Sequence, residues 1–369
     1  MDYLQKLKYH FKPEKGWIND PNGLVYFDGY YHAFFQHCPH RERPWTGEEM
    51  HWGHARTKDF LTWEELPVAL APDAPYDVGG CWSGTATVKD GVLYLVYASL
   101  YIPEGETRKR QTVSVAFSRD GIHFEKYAGN PVIDRFPPDG CPDFRDPAVT
   151  RIGDRYFCVM ASGNPDAKEA RLLLYSSKDL FSWQYEGIMA RWEECKYAEC
   201  PSFMPWHDNK YLLATSVLEL SLHHYFTVME GDFKDGRFTP TLSGAPDKGP
   251  DQYAGQAFLD ESGRCILLAW IPGWGYEEFA EKNIGCLSLP RELTVRDSKV
   301  YAYPVREVQH LLTDADEAIE RTENGFIIHR EGREDVVHTG EIRSLKMLRD
   351  GYILEVFVNE GETVYSVLL

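Results

Sequence analysis

Along most of its length the chain alternates short apolar runs with turn residues, and no long segment keeps a helical period. Runs such as Val92–Ser99, Thr112–Phe117, Tyr156–Met160, Arg171–Tyr175 and Cys265–Ile271 are rich in β-branched and aromatic residues. Gly, Asn, Asp and Ser cluster between them, the punctuation expected of strands and tight turns. The pattern predicts an all-β fold. A turn signature also repeats. Thr57-Lys58-Asp59-Phe60 recurs 61 residues on as Ser118-Arg119-Asp120-Gly121, and 59 residues later as Ser177-Lys178-Asp179-Leu180. Gly231-Asp232-Phe233-Lys234 is a weaker echo. Each copy is a hydroxyl-Asp turn that follows a pair of strand-like segments and feeds an aromatic. A fixed period of this size, with about four strands per unit, predicts a β-propeller.

Further units beginning near Trp17 and near Asp251 bring the count to five blades, over residues 1–300. After Pro290-Arg291-Glu292-Leu293 the repeat fades. Tyr303–Leu312 reads as a linker or short helix, and Thr313–Glu323 as an acidic loop. Gly325–His329, Val336–His338, Leu345–Leu348, Ile353–Val358 and Thr363–Leu368 then alternate as strands do, with Asn359-Glu360-Gly361 as a hairpin turn. They predict a small C-terminal β-sandwich over residues 301–369.

Charge and composition narrow the function classes. The net charge of −18 makes nucleic acid and anionic membrane poor partners. The aromatic content of 14% suits sheets and sugar-stacking surfaces alike. The N-terminus reads without an export signal, and eight cysteines without CxxC pairing read as reduced thiols of a cytoplasmic protein. The pairs His37/His40, His51/His54 and His223/His224 lack metal-ligand spacing, so no metal or other cofactor is expected. The basic run Arg108-Lys109-Arg110 could meet a substrate phosphate, but reads first as a solvated loop.

Three acids carry the candidate chemistry. Asn19-Asp20-Pro21-Asn22-Gly23, Phe144-Arg145-Asp146-Pro147 and Ala198-Glu199-Cys200-Pro201 each set an acid at or next to a proline, near the start of a unit and before its first strand, in blades one, three and four. Trp82-Ser83-Gly84 and Tyr253-Ala254-Gly255-Gln256 hold the equivalent places in blades two and five. In a propeller the innermost strands surround one axis, so these positions converge. Two carboxyl groups about 5–5.5 Å apart suffice for retaining glycoside hydrolysis, one as nucleophile and one as acid/base. A third could hold sugar hydroxyls and stabilise the developing positive charge. Spacing leaves the assignment open. Arg145 would keep Asp146 ionised, which suits a stabiliser, while Pro201, Tyr197 and Phe203 would favour a raised pKa at Glu199.

These stretches resemble the WxNDPNG, FRDP and ECP boxes of glycoside hydrolase family 32, the invertase, fructanase and sucrose-6-phosphate hydrolase family. His51–Ala55, Cys81–Gly84 and Leu287–Leu293 are similar to further segments of that family, in the same order. The resemblance implies a five-bladed propeller and cofactor-free, retaining hydrolysis of β-fructofuranosides. It also implies Asp20 as nucleophile, Glu199 as acid/base and Asp146 as transition-state stabiliser. By the same resemblance Asn19, Gln36, Trp45, Ser83 and Arg145 contact the fructosyl unit, with Tyr253 and Trp274 as looser matches. Trp45, Trp82 and Trp274 are candidate sugar platforms at the pocket rim. The expected substrates are sucrose, sucrose 6-phosphate or short fructo-oligosaccharides. The segment after Leu293 is about half as long as the family's usual sandwich, and edge strands left unpaired there would invite a homodimer. Two other readings compete: an inverting glycosidase of the arabinanase and xylosidase type, and a carbohydrate-binding propeller without catalysis. The intact boxes argue against the first, and three adjacent carboxylates against the second.

Overall fold

The computed structural model describes residues 6–44, 46–271 and 285–369, and among them are strands, three short 3-10 turns and no α-helix. Five sheets follow one another, each an antiparallel meander in sequence order. Sheet one comprises Trp17–Phe27, Tyr30–Cys38, His51–Thr57 and Trp63–Leu70. Sheet two comprises Gly80–Lys89, Val92–Tyr101, Arg110–Ser118 and Glu125–Lys126. Sheet three is Arg145–Ile152, Arg155–Asn164, Glu169–Ser177 and Trp183–Glu193. Sheet four is Cys195–Pro205, Tyr211–Glu219, His224–Lys234 and Arg237–Gly244. Sheet five is Tyr253–Leu259, Cys265–Ile271, Arg291–Arg296 and Lys299–Pro304, with the short Cys286–Leu287 also paired to Cys265–Ile271.

The repeated turn has one geometry in its three clear copies. The hydroxyl of Thr57, Ser118 or Ser177 accepts from the backbone N–H three residues on. The aspartate that follows accepts from the next two N–H groups. Phe60, Gly121 and Leu180 take up the positive φ that this turn requires. The fourth echo differs: Gly231–Lys234 lies within a strand, and the chain reverses at Asp235-Gly236, both at positive φ, as a two-residue hairpin.

Neighbouring sheets bury an apolar seam between them. Phe34 and Trp52 meet Leu93 and Tyr97 between sheets one and two. Val113 and Val115 meet Cys158 and Met160 between two and three. Leu172 and Leu174 meet Phe203 and Leu213 between three and four. Phe226 and Val228 meet Ala257 and Leu267 between four and five. Phe258 and Leu268 return to Ile18 and Phe35 of sheet one. Each fully buried Leu or Phe there contributes about 1.5–3 kcal/mol relative to exposure. The first strand of every sheet adjoins the first strand of the next, sheet five against sheet one included. All five line one cavity of about 270 Å³, through Leu24, Thr87, Val149, Met204 and Phe258 among others.

Two three-stranded sheets follow: Ile319–Thr322, Gly325–Ile328 and Val336–Thr339, then Leu345–Asp350, Ile353–Val358 and Thr363–Leu368. They share a core of Phe326, Ile328, Met347, Leu354, Val356 and Val367. The short helix expected within Tyr303–Leu312 is a 3-10 turn at Gln309–Leu311. Within the expected loop, Ile319–Thr322 is a strand. Pairing to Gly325–Ile328 overrides its polar sequence and leaves Glu320, Arg321 and Thr322 exposed at an edge. No helix of the described residues is long and apolar enough to cross a membrane.

A buried ionic network ties these last sheets to sheet five and to the N-terminal segment. The Arg291 guanidinium, fully buried, donates to Asp247 at 2.6 Å, to Glu355 at 2.9 Å and to the Ser366 hydroxyl at 2.6 Å. Glu355 also reaches His10 Nε2 at 3.1 Å, and His10 Nδ1 lies 3.0 Å from Asp350. The backbone N–H groups of Lys8, Tyr9 and His10 donate to Asp350. Burial opposes a charge on His10, but hydrogen bonds to Asp350 and Glu355 outweigh it and push its pKa up to about 9. A histidine raised in this way adds stability that is complete below about pH 6.5 and lost as pH rises through about 9. Urea unfolding should therefore show a loss on the order of 2–3 kcal/mol between pH 6.5 and 9.5 in the unaltered protein. His10→Gln should flatten that dependence; an unchanged slope would contradict the role given to His10.

Candidate active site

Every first strand is interrupted at the same end of the molecule. The register shifts between Ile18 and Pro21, Trp82 and Gly84, Arg145 and Ala148, Glu199 and Ser202, and Tyr253 and Gln256. These are β-bulges, which bend a strand and re-aim its side chains. Proline produces three of them, because Pro21, Pro147 and Pro201 cannot donate to the ladder. In sheets three, four and five the register makes Arg145, Glu199 and Tyr253 equivalent, and likewise Asp146, Cys200 and Ala254. The latter three all have positive φ, at 56°, 50° and 53°. Such backbone is uncommon for residues with a Cβ and gathers at functional sites.

Side chains satisfy the backbone groups that the bulges release. Thr215 donates to the Glu199 carbonyl at 2.8 Å and Thr85 to the Pro147 carbonyl at 2.9 Å. Gln256 donates to the Gly84 carbonyl at 3.1 Å and accepts from Leu24 N–H at 3.3 Å. The acids thus lie on the first strands, whereas the sequence pattern put them ahead of those strands. A bulged Asp-Pro or Cys-Pro step reads as a turn locally, yet pairing continues on both sides of it.

Two layers of polar contacts result. In one, Arg145 donates to Glu199 Oε1 through Nε at 3.1 Å and Nη2 at 2.5 Å. The Tyr253 hydroxyl donates to Glu199 Oε2 at 2.5 Å. Arg145 also donates to Asp143 at 3.0 Å and lies over the Tyr197 ring. In the other layer, Asp20 Oδ2 accepts from the Ser83 hydroxyl at 2.6 Å and from the Cys200 thiol at 3.3 Å. Asp20 Oδ1 accepts from Asn19 at 3.0 Å, and Trp17 Nε1 donates to Asn19 at 2.6 Å. Asp146 Oδ2 accepts from the Cys200 backbone N–H at 2.9 Å, with the Cys200 thiol 3.8 Å away. One residue, Cys200, therefore touches two of the three acids and is joined by a peptide bond to the third.

Burial sets the electrostatics. It raises the Asp20 carboxyl, as does the charge of Glu199, against hydrogen bonds from Ser83, Asn19 and Cys200 that lower it. Burial also pushes Asp146 up to about 7, with Glu199 and Asp20 adding to the rise and Arg145 opposing it. Arg145 does lower Asp146, as the sequence suggests, but burial outweighs it. The guanidinium spends its fork on Glu199 and Asp143, and desolvation prevails at Asp146. The aromatics expected near Glu199 are placed differently from one another. Phe203 stacks on Tyr211 in the seam between sheets three and four, while Tyr197 faces Arg145.

Asp20, Asp146, Glu199, Asn19, Ser83, Arg145 and Tyr253 are thus brought together. Trp82 packs against the apolar cluster that includes Trp17, Cys200 and Tyr253. Gln36 is buried and donates to the Cys81 carbonyl at 3.1 Å, one residue from Trp82. Trp45 and Trp274 lie outside the described residues. Lys109 is not a free solvated cation, since it binds Glu49 at 2.7 Å and the Gly79 carbonyl at 2.8 Å. His37 and His224 donate to the carbonyls of Trp17 and Pro250, and His40 pairs with Glu48. All eight cysteines are buried. Asn22 and Cys200 stand in the Asn19–Gly23 and Ala198–Pro201 stretches, where the sequence assigned them no role of their own, and Asp143 carried no signal. For Cys200 the signal was its place after Glu199 in the ECP-like stretch, and nothing local told which way its thiol points.

The model of the glycosyl hydrolases family 32 N-terminal domain matches residues 10–304. The chain belongs to that family. It is 34% identical over 318 residues to sucrose-6-phosphate hydrolase of Escherichia coli, and 37% identical over 319 residues to raffinose invertase of the same species. Each match covers 82% of this chain, and the chain spans 65% of the length of either relative. A family 32 β-fructofuranosidase of Bombyx mori, in complex with sucrose, superposes with a TM-score of 0.85 at 27% identity, covering 99% of this chain and 89% of that one. Sucrose-6-phosphate hydrolase of Lactobacillus gasseri superposes with a TM-score of 0.85 at 23% identity, over 100% of this chain and 89% of the other, a likeness of fold. The all-β meander of sheets is that of this family's propellers.

The raised carboxyls make the family 32 site a cost to stability. A folded pKa of about 7 at Asp146 means that folding retains a proton the unfolded chain has lost, so this group's contribution falls as pH rises from about 4 to about 7. Asp146→Asn, which keeps an acceptor for the Cys200 N–H, should therefore raise stability at pH 8 by on the order of 2 kcal/mol. The gain should vanish at pH 4. Thermal unfolding at both pH values checks this, and destabilisation at pH 8 would contradict it.

Proposed function

We propose that this protein is a retaining β-fructofuranosidase whose five sheets are the five blades of a propeller. In this reading the two three-stranded sheets form a small C-terminal sandwich, and blade five closes with Lys299–Pro304. The observation that carries the reading is the convergence of Asp20, Asp146 and Glu199 from three different sheets onto Cys200 and Arg145. Family membership supports it, as do relatives named for hydrolysing sucrose 6-phosphate or raffinose.

Asp20, held by three donors, is directed as a nucleophile at the anomeric carbon of a terminal fructosyl unit. As the carbon–carboxylate bond forms, the glycosidic C–O bond breaks and Glu199 gives its proton to the departing oxygen. Water then attacks the covalent intermediate, Glu199 takes back a proton, and Asp20 leaves as carboxylate. Tyr253 touches the Glu199 oxygen opposite Arg145 and orients the carboxyl for this exchange. Asp146 and Arg145 hold fructosyl hydroxyls, and a carboxyl at Asp146 that ionises near neutrality can answer the positive charge developing on the ring. Trp82, packed against the cluster that includes Cys200 and Tyr253, serves as a sugar platform at the rim. Sucrose, sucrose 6-phosphate and short fructo-oligosaccharides are the substrates proposed, with a cytoplasmic setting favouring small imported sugars.

Fructose release from sucrose, sucrose 6-phosphate, kestose, inulin and levan tests the reading. Release from at least one is expected, with β-fructose as the first product by NMR. Asp20→Asn should lower the rate by about a thousandfold or more, roughly 4 kcal/mol of barrier. No release from any of the five by folded protein would overturn the assignment.

A further inference from the structure

Behind Asp20 stands a fully buried amide that the chemistry above does not use. Asn22 is 0% exposed and lies two residues beyond Asp20, on the far side of the Pro21 bulge. With its amide oxygen turned towards sheet one's second strand, it accepts from Gln36 Nε2 at 3.0 Å and from the Gln36 backbone N–H at 3.2 Å. Its nitrogen then donates to the Pro21 carbonyl at 3.1 Å and to the Ser83 hydroxyl at 3.2 Å. The opposite orientation sets oxygen against those two acceptors and nitrogen against the two Gln36 donors. In that orientation the oxygen keeps only the Gly84 N–H, at 3.4 Å, and the nitrogen has no acceptor; a buried group left unsatisfied costs about 1–3 kcal/mol.

A serine hydroxyl has one proton to give and two lone pairs to receive. Ser83 Oγ stands 2.6 Å from Asp20 Oδ2, so where that proton points decides how many donors the carboxylate holds. We propose that Asn22 is a positioning residue for Asp20 acting through Ser83: by donating to the Ser83 oxygen it commits the single hydroxyl proton to the Asp20 carboxylate. Gln36 completes the chain by fixing the Asn22 amide. The order Gln36, Asn22, Ser83, Asp20 runs from sheet one through sheet two and back, and each member satisfies the next.

The inference rests on the glycosidase reading, and the experiment separates the two. The pH dependence of kcat/KM for fructose release is measured for the unaltered protein, Asn22→Leu, Ser83→Ala and the double variant. Loss of a donor to a carboxylate raises its pKa, so Asn22→Leu should move the acid limb to higher pH by about one unit. It should lower kcat more than it changes KM. Ser83→Ala should produce a similar shift, and Asn22→Leu added to it should move the limb no further, because the path through the hydroxyl is already cut. Should Asn22→Leu not fold, Gln36→Met, which frees the Asn22 amide to rotate, is expected to move the limb in the same direction. A limb that stays in place in folded variants with reduced activity, or additive shifts in the double variant, would overturn the proposal. No fructose release by the unaltered protein would instead overturn the reading on which it rests.

Discussion

The site depends on one backbone feature, the bulge that interrupts the first strand of each of the five sheets. A regular strand would send alternate side chains to opposite faces and could not direct adjacent residues to one place. The bulge breaks that alternation, so that Asn19 and Asp20, or Glu199 and Cys200, serve the same site from neighbouring positions. Once the ladder is broken, its freed carbonyls and N–H groups must be met from elsewhere. Thr85, Thr215 and Gln256 meet them from other strands. Bulge, hydroxyl and acid are therefore a single unit, and positive φ at Asp146 and Cys200 is the strain it stores.

Electrostatically the site is short of positive charge. Three carboxyls converge, and the guanidinium among them is committed to Glu199 and Asp143. Asp20 and Asp146 are left to neutral donors: a hydroxyl, a thiol, an amide and one backbone N–H. Neutral donors lower a carboxyl less than an ion pair does, which is why burial prevails and both groups are raised. A site poised in this way responds to a substrate that grows positive in the transition state, since any cationic character within it has unanswered negative charge to meet.

The molecule carries that destabilising cluster on seams of apolar side chains between every pair of neighbouring sheets, and it anchors its far parts differently. Arg291, Asp247, Glu355, His10 and Asp350 form a buried ionic chain in which donors and acceptors are matched. Removing one partner of such a set leaves a buried charge alone, at a cost of about 3–5 kcal/mol, so the set fixes how the last two sheets and the N-terminal segment seat. Unlike Asp20 and Asp146, these groups have their opposite charges beside them.

The sequence alone determined the strands, the repeated hydroxyl-Asp turn and the three acid-proline steps, because these are local: periodicity, turn chemistry and neighbouring residue types are written in consecutive residues. It also determined the family, through boxes that keep their order. Tertiary structure decided the rest. Which acid Arg145 hydrogen-bonds depends on a strand 54 positions away, and sequence adjacency pointed to Asp146 alone. That Ile319–Thr322 is a strand depended on a partner able to pair with it, and that Cys200 and Asn22 belong to the site depended on the direction in which a bulge turns them. Side-chain direction at a bulge and desolvation at an axis are properties of five strands together, and no single stretch of the chain contains them.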